Sequence, residues 1–175
     1  MLVREARRPD APHIARVHVD SWRTTYAGIV PEVFLAGMSY EDFEARWHGW
    51  LGVEESVVYV VESPSARIVG FALGGPQREE DYSGYEGELY AAYLLREYQR
   101  KRLGRHLLGA VAKGLARQEK TSMLAWVLAD NPSRHFYEVV GGKLLGREEI
   151  EIGGVTLEEV AYGWEDVRAL IPFVR

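Results

Sequence analysis

The stretch of sequence at residues 94–108 decides the fold, and it reads Leu94-Leu95-Arg96-Glu97-Tyr98-Gln99-Arg100-Lys101-Arg102-Leu103-Gly104-Arg105-His106-Leu107-Leu108. An apolar strand is predicted over residues 88–95, and a helix with an apolar stripe is predicted from residue 103. The turn between them is dense in Arg and Lys. Because the N-terminus of a helix carries free backbone N–H groups and the positive end of the helix dipole, this turn predicts a phosphate-binding site.

A solvated, charged start of a helix is the simpler interpretation of the same basic turn. Basic side chains oppose the dipole at this end of a helix, however, so their presence favours a bound polyanion that neutralises both. The chain as a whole carries a net charge of -5, which makes the turn a local exception. The turn has neither the G-x-x-x-x-G-K-[ST] pattern nor the G-x-G-x-x-G pattern, so nucleotide hydrolysis and dinucleotide binding fit poorly.

The composition predicts one globular domain over residues 1–175. Hydrophobic residues make up 47% of the chain, which is enough to fill a core, and the acidic balance argues against general nucleic-acid binding. The absence of Cys excludes disulfides and a Cys nucleophile and fits a reducing compartment. No run approaches the ~20 apolar residues of a membrane span, and the first residues do not resemble a signal peptide. We therefore expect a cytoplasmic protein that contacts no membrane.

The order of the predicted elements indicates a single α/β domain with a mixed central sheet of about seven strands and helices on both faces. Strands are predicted at residues 2–5, 57–61, 68–73, 88–95, 123–128, 143–152 and 155–163. Helices are predicted at residues 10–26, 31–37, 40–51, 103–115, 132–140 and 165–170.

The segment Gln99-Arg100-Lys101-Arg102-Leu103-Gly104 resembles the acyl-CoA-binding motif of the GNAT superfamily of N-acetyltransferases, Gln/Arg-x-x-Gly-x-Gly/Ala. Arg102 departs from the motif at its first Gly position, and Arg96 stands where many relatives have Pro. Three further segments resemble this family, namely residues 21–31 (SWRTTYAGIVP), 87–93 (GELYAAY) and 131–142 (NPSRHFYEVVGG). The resemblance implies the GNAT fold, in which two neighbouring parallel strands splay apart and the pantetheine arm lies between them.

The resemblance also implies acetyl-CoA as the acetyl donor and no metal. Backbone groups of Tyr93, Leu94 and Leu95 are expected to pair with the pantetheine amides, and an N–H near Leu95 is expected to help hold the oxyanion. The expected pyrophosphate cradle comprises Gln99, Arg100, Lys101, Arg102, Leu103, Gly104 and Arg105. We expect Arg102 to contribute its backbone N–H with its side chain turned outward. The sequence does not identify which basic side chain binds the 3′-phosphate.

By the same resemblance, Tyr137 is the general acid that protonates the leaving thiolate, and Asn131 bonds the cofactor. On the residues alone, Tyr137 could instead be a core aromatic and Asn131 the cap of the helix that begins near Pro132. Glu88, at the start of the splayed strand, is the candidate base that takes the proton of the amine. A solvated strand-end acid is its alternative, with a bound water then acting as the base.

Trp22 and Tyr26 are four residues apart on one helix face and are expected to line the acceptor pocket, although core packing is the alternative for Trp22. The acidic loop at residues 77–87 would suit a cationic acceptor if it folded over the cleft, and is otherwise a solvated loop. Its acidic residues are Glu79, Glu80, Asp81 and Glu86. A homodimer is also compatible with the sequence, with Trp47 and Trp50 expected to be exposed and available for it.

The expected function is direct transfer of the acetyl group from acetyl-CoA to a primary amine of a small molecule or a peptide. No acyl-enzyme is expected, because the chain has no Cys. The alternatives are a sensor module that binds acyl-CoA without turnover and, disfavoured by the net acidity, an RNA-binding scaffold that uses the basic turn.

Overall fold

Seven strands form one mixed sheet in the computed structural model, which describes residues 1–78 and 82–173. The strands are β1 (Leu2–Glu5), β2 (Val57–Glu62), β3 (Ile68–Pro76), β4 (Gly87–Leu94), β5 (Met123–Leu128), β6 (Lys143–Ile152) and β7 (Val155–Trp164). Their spatial order is β1-β2-β3-β4-β5-β7-β6, and β4 and β5 are its parallel pair. The α/β fold predicted from the sequence is confirmed.

Five α-helices accompany the sheet within the described residues: α1 (Ala11–Thr25), α2 (Glu32–Gly37), α3 (Tyr40–Trp50), α4 (Leu103–Arg117) and α5 (His135–Val139). The helix predicted over residues 132–140 is therefore shorter than expected, because Asn131 first makes a turn in which its side chain accepts a hydrogen bond from the Ser133 N–H. None of the described helices is long and apolar enough to cross a membrane.

Opposite faces of the sheet are covered by α1 and α4. On one face, the His18 ring of α1 lies 5.1 Å from the Phe71 ring of β3. On the other face, a Cβ atom added to Gly74 would lie 2.7 Å from Val111 of α4, so the missing side chain lets the helix approach the strand closely. Residues three apart on a strand point to opposite faces, so Phe71 faces the layer of α1 and Gly74 faces the layer of α4.

Strands β4 and β5 splay apart after a short paired segment. Pairing covers only Gly87–Leu89 of β4 and Met123–Ala125 of β5, although the two strands continue to Leu94 and Leu128. Tyr90 is the residue that bends β4, since Leu73 pairs with Ala91 and Gly74 with Leu89, leaving Tyr90 as a β-bulge. The gap expected from the family resemblance is present, and the basic turn lies at its end.

Trp47 corrects one expectation from the sequence. Its side chain is 0% exposed and packs against the Phe71 ring, with ring centroids 4.8 Å apart. Trp50 is half-buried against Trp47 at 4.9 Å. Trp47 is therefore part of the core and offers no surface to a second copy of the chain.

Candidate active site

One edge of the gap is the free side of β4. The Leu95 N–H donates a hydrogen bond to the Val69 carbonyl on β3, at 3.0 Å. Because backbone groups alternate sides along a strand, Tyr93 also directs its N–H and C=O towards β3, whereas Ala92 and Leu94 direct theirs into the gap. Ala92 and Leu94 are therefore the residues whose backbone groups face the gap, and the expected pairing of Tyr93, Leu94 and Leu95 with pantetheine stays a prediction.

The basic turn has two residues in the left-handed region of backbone space. Arg100 has φ 58° and Arg102 has φ 63°, a conformation that costs a non-glycine residue about 1–2 kcal/mol. Such strain persists where the surroundings demand it, often at ligand clamps. Arg102 is exposed, as expected for a residue that contributes only backbone, and its left-handed φ gives the physical reason for Gly in the family motif.

Arg102→Gly is expected to leave the KM for acetyl-CoA within about threefold of wild type, because this position supplies backbone rather than a guanidinium. Removing the left-handed strain should keep or raise the free energy of unfolding, by up to about 1 kcal/mol. Steady-state kinetics and urea unfolding test both expectations. A rise in KM of more than about tenfold would instead show that the side chain binds phosphate.

The remaining residues of the turn divide into anchors and exposed cations. The Gln99 side-chain amide donates to the Leu94 carbonyl at 3.0 Å, which fastens the turn to the end of β4. Leu103 is buried and anchors the first turn of α4, while Arg100 and Lys101 are exposed. A Cβ atom on Gly104 would lie 3.4 Å from the Phe136 ring, so this glycine is not required by the protein's own packing. The backbone N–H groups at the start of α4 are those available to a phosphate.

Tyr137 lies on α5, next to β7. Its ring stacks on Tyr162, with centroids 5.8 Å apart and planes 16° from parallel. Burial, and then the neighbouring Tyr26, raise the pKa of Tyr137 above its ordinary value of 10.0. The hydroxyl is therefore protonated at neutral pH, as a proton donor must be.

Tyr26 links the two sides of the gap. Its hydroxyl lies 3.0 Å from the Tyr93 hydroxyl on β4 and accepts a hydrogen bond from the Asn131 amide, beyond β5, at 3.2 Å. Burial raises the pKa of Tyr26, and burial, followed by the neighbouring Tyr26, raises the pKa of Tyr93. The hydroxyls of Tyr26 and Tyr93 thus meet near the gap. Asn131 caps a turn through its side-chain oxygen and reaches Tyr26 through its amide N–H, and its expected bond to the cofactor stays a prediction.

Glu88 is buried, with 1% of its surface exposed, so it is not a solvated strand-end acid. Arg78 holds the carboxylate in a fork: Nη2 to Oε1 at 2.5 Å and Nε to Oε2 at 3.1 Å. The Arg78 backbone N–H also donates to Oε2, at 3.1 Å. A carboxylate offers about four acceptor sites, so the bonds from the described residues use three of them.

A cavity of about 920 Å³ opens between α1, α3 and β4. Its aromatic wall comprises His18, Trp22, Phe34, Phe43, Trp50, Tyr90 and Tyr93. Of the two residues expected to bind the acceptor, Trp22 lies on this wall, whereas Tyr26 bridges the gap instead. His18 was missed by sequence reasoning, although its position among apolar residues of α1 was the available signal. Burial, and then the charge of Arg46, lower the pKa of His18 to about 3, so this imidazole is neutral.

Comparison with known proteins identifies the family. The chain is 44% identical over 170 residues to the uncharacterized N-acetyltransferase YuaI of Bacillus subtilis (strain 168), covering 97% of this chain and 96% of the relative. The family model described as FR47-like protein matches residues 79–150. The chain belongs to the GNAT superfamily of N-acetyltransferases.

Solved structures share this GNAT fold. The PaiA N-acetyltransferase of Thermoplasma acidophilum, in complex with coenzyme A, superposes with a TM-score of 0.72 at 21% identity, covering 90% of this chain and 96% of that chain. The ribosomal-protein-alanine N-acetyltransferase of Brucella melitensis gives 0.74 at 20% identity, covering 94% and 99%. YncA of Salmonella typhimurium, with its cofactor acetyl-CoA, gives 0.70 at 19% identity, covering 94% and 92%. The family and the enzyme class expected from the sequence are confirmed.

Part of the acidic loop falls outside the structure: Glu79, Glu80 and Asp81 are not among the described residues, so its expected role over the cleft stays a prediction. Glu86, which is described, accepts hydrogen bonds from the Thr121 N–H at 2.6 Å and the Thr121 hydroxyl at 2.8 Å. In residues 1–78 and 82–173, no three His, Asp or Glu side chains are grouped to hold a metal ion.

Proposed function

We propose that this GNAT protein transfers the acetyl group of acetyl-CoA directly to a primary amine of a small molecule or peptide. The observation that carries the proposal is the gap between β4 and β5, which lies between a basic turn and a ring-lined cavity. A donor held in the gap would present its thioester to an acceptor held in the cavity. A cytoplasmic location and a homodimer stay predictions from the sequence.

The donor is proposed to bind through backbone groups. Its pyrophosphate would lie on the N–H groups around residues 100–104, where the dipole of α4 and the exposed Arg100 and Lys101 favour negative charge. Its pantetheine amides would pair with Ala92 and Leu94, the residues whose backbone groups face the gap. A backbone N–H of this strand would also stabilise the oxyanion.

The proposed chemistry balances without a covalent enzyme intermediate. The amine nitrogen attacks the thioester carbon, the carbonyl oxygen carries the charge of the tetrahedral intermediate, and the C–S bond then breaks. Tyr137 gives its proton to the departing sulfur, while the amine loses a proton to a base. The Tyr137 phenolate is reprotonated from solvent, and the products are the acetamide and free CoA.

Glu88 is the proposed base, and it works through a water molecule. Arg78 bonds to both carboxylate oxygens, and Glu88 is not among the residues that line the cavity, so a water molecule on the remaining acceptor site would carry the proton from the amine to Glu88. Glu88 pairs with Leu124, one step before the last paired residues Leu89 and Ala125, so that water would lie near the root of the gap.

Glu88→Gln is expected to lower kcat/KM by about 100-fold near neutral pH, because the variant cannot take up a proton. The loss should shrink as pH rises and more of the amine is already deprotonated. Glu148→Gln, on the exposed side of β6, is the matched control and should change nothing. If Glu88 only anchors Arg78, Arg78→Gln will reproduce the whole loss and the pH-dependent recovery will be absent, which would remove Glu88 as the base.

Acetyl transfer itself is tested with a panel of amines and acetyl-CoA. We expect free CoA and acetylated amine to appear in equal amounts for at least one class of amine, measured by thiol release and mass spectrometry. Tight acetyl-CoA binding with no acetylated product from any class would favour the non-catalytic sensor module instead.

A further inference from the structure

The cavity beside the gap restricts the class of acceptor. We infer that the acceptor is a small molecule with a single amine carried on an aromatic or bulky apolar body. This inference rests on the proposed function, since it takes the cavity as the acceptor site of the transfer. Tyr90, Ala91 and Tyr93 of the splayed strand form part of the cavity wall, so an acceptor there is next to the gap.

The wall offers ring surfaces from three different elements. The His18 ring of α1 lies 4.7 Å from Phe43 of α3, edge to face, and stacks on Tyr93 of β4 at 5.4 Å. Trp50 completes the cluster at 6.3 Å from His18. Rings packed against one another hold a fixed surface, to which a flat or bulky apolar ligand binds with little loss of conformational entropy.

The charges on the cavity wall argue against a polyamine. Among the described residues, Asp42 and Glu55 bring two negative charges to it and Arg46 brings one positive charge, while the Arg78 guanidinium is paired with the Glu88 carboxylate. His18 is neutral because burial lowers its pKa to about 3. A polycation needs an excess of carboxylates, whereas a single ammonium group needs only one carboxylate or one ring face.

The two arginines also occupy part of the ring surface that a polycation would use. The Arg46 guanidinium lies 5.0 Å from the centre of the Phe43 ring, and the Arg78 guanidinium lies 4.2 Å from the centre of the Tyr90 ring. A second or third ammonium group of an extended polyamine would meet these guanidinium groups. A monoamine with an uncharged body avoids that repulsion.

The size and rim of the cavity favour a small apolar molecule over a peptide. A volume of about 920 Å³ lies within the range of sites that enclose drug-sized ligands. Val33, which is 80% exposed, and Val53, which is 54% exposed, stand on its wall. Apolar side chains left in water at the rim of a cavity gain free energy when an apolar ligand covers them.

A competition of acceptors tests the inference on the full chain with saturating acetyl-CoA. The probes are 2-phenylethylamine, tryptamine, spermidine and a short peptide with a free N-terminus, compared by kcat/KM. We expect each aromatic monoamine to exceed spermidine and the peptide by at least about tenfold. Equal or better turnover of spermidine or the peptide would overturn the inference while leaving the proposed function intact.

A substitution in the cavity wall provides a second test of the inference. Trp50→Ala should lower kcat/KM for 2-phenylethylamine relative to ethylamine by about tenfold, with the KM for acetyl-CoA unchanged. Phe43→Leu, a milder change, should move the ratio the same way if Trp50→Ala folds poorly. An unchanged ratio in both variants would contradict the inference.

Calorimetry separates the two proposals. Binding of 2-phenylethylamine to the CoA-loaded protein, with no acetylated product when acetyl-CoA replaces CoA, would contradict the proposed function and keep the cavity assignment. Absence of binding by both aromatic monoamines would overturn the cavity assignment.

Discussion

Tyr137→Phe is expected to lower kcat by well over tenfold and to leave the Kd for acetyl-CoA within about twofold of wild type. The variant keeps the ring that stacks on Tyr162 and removes only the proton donor. The departing thiolate would then have to take its proton from water. CoA release gives kcat, and calorimetry gives the Kd.

Tyr162→Phe is the matched control for this prediction. It removes a hydroxyl that donates to Glu138 at 2.7 Å, from the ring stacked on Tyr137, and should keep kcat within about twofold. Because burial raises the pKa of Tyr137 above 10.0, the acid form persists through neutral and mildly alkaline pH. Titration of Tyr137 should therefore cause no fall in wild-type kcat between about pH 7 and 9. Unchanged turnover in Tyr137→Phe would remove this residue as the acid.

Trp47→Ala is expected to lower the free energy of unfolding by about 3–5 kcal/mol, measured by urea denaturation. The indole is fully buried between the rings of Phe71, Trp50 and His18, so its removal leaves a cavity at the centre of one layer. Trp47→Phe is the matched control. It retains a ring, and the indole N–H that it removes has no hydrogen-bond partner among the described residues. The free energy of unfolding should therefore fall by only about 1 kcal/mol.

The alternative for Trp47 is the surface position first expected from the sequence. A loss of less than about 1 kcal/mol in Trp47→Ala would favour that position, since exposed side chains rarely contribute more. The spacing of Phe43, Trp47 and Trp50 is that of a single helix face, and it was the signal for burial.

The strands, the helix α4 and the basic turn could be predicted because each rests on local pattern, whereas the gap was expected only from the family resemblance. Apolar runs of strand length, an apolar stripe at helical spacing and a cluster of Arg and Lys are properties of neighbouring residues. The side to which each backbone group of β4 points could not be predicted in the same way. The direction of the backbone N–H and C=O groups alternates at every residue of a strand. A shift of one residue, from Ala92 to Tyr93, therefore turns these groups from the gap towards β3.

The Arg78–Glu88 fork and the neutral His18 depend on packing that no local pattern encodes. Arg78 meets Glu88 across ten residues of sequence, with its guanidinium over the Tyr90 ring. His18 becomes neutral because α1, α3 and β4 enclose its ring. Arg78 and His18 both line the proposed acceptor site. Burial and ion pairing there determine the charge of side chains that have no distinguishing feature in the sequence.

The most direct test of the central claim is a crystal structure of the acetyl-CoA complex. We expect the pyrophosphate to bind the backbone N–H groups around residues 100–104 and the pantetheine amides to pair with Ala92 and Leu94. The sulfur should lie within hydrogen-bond distance of the Tyr137 hydroxyl. Acetyl-CoA bound outside the gap, or a sulfur beyond the reach of that hydroxyl, would contradict the central claim.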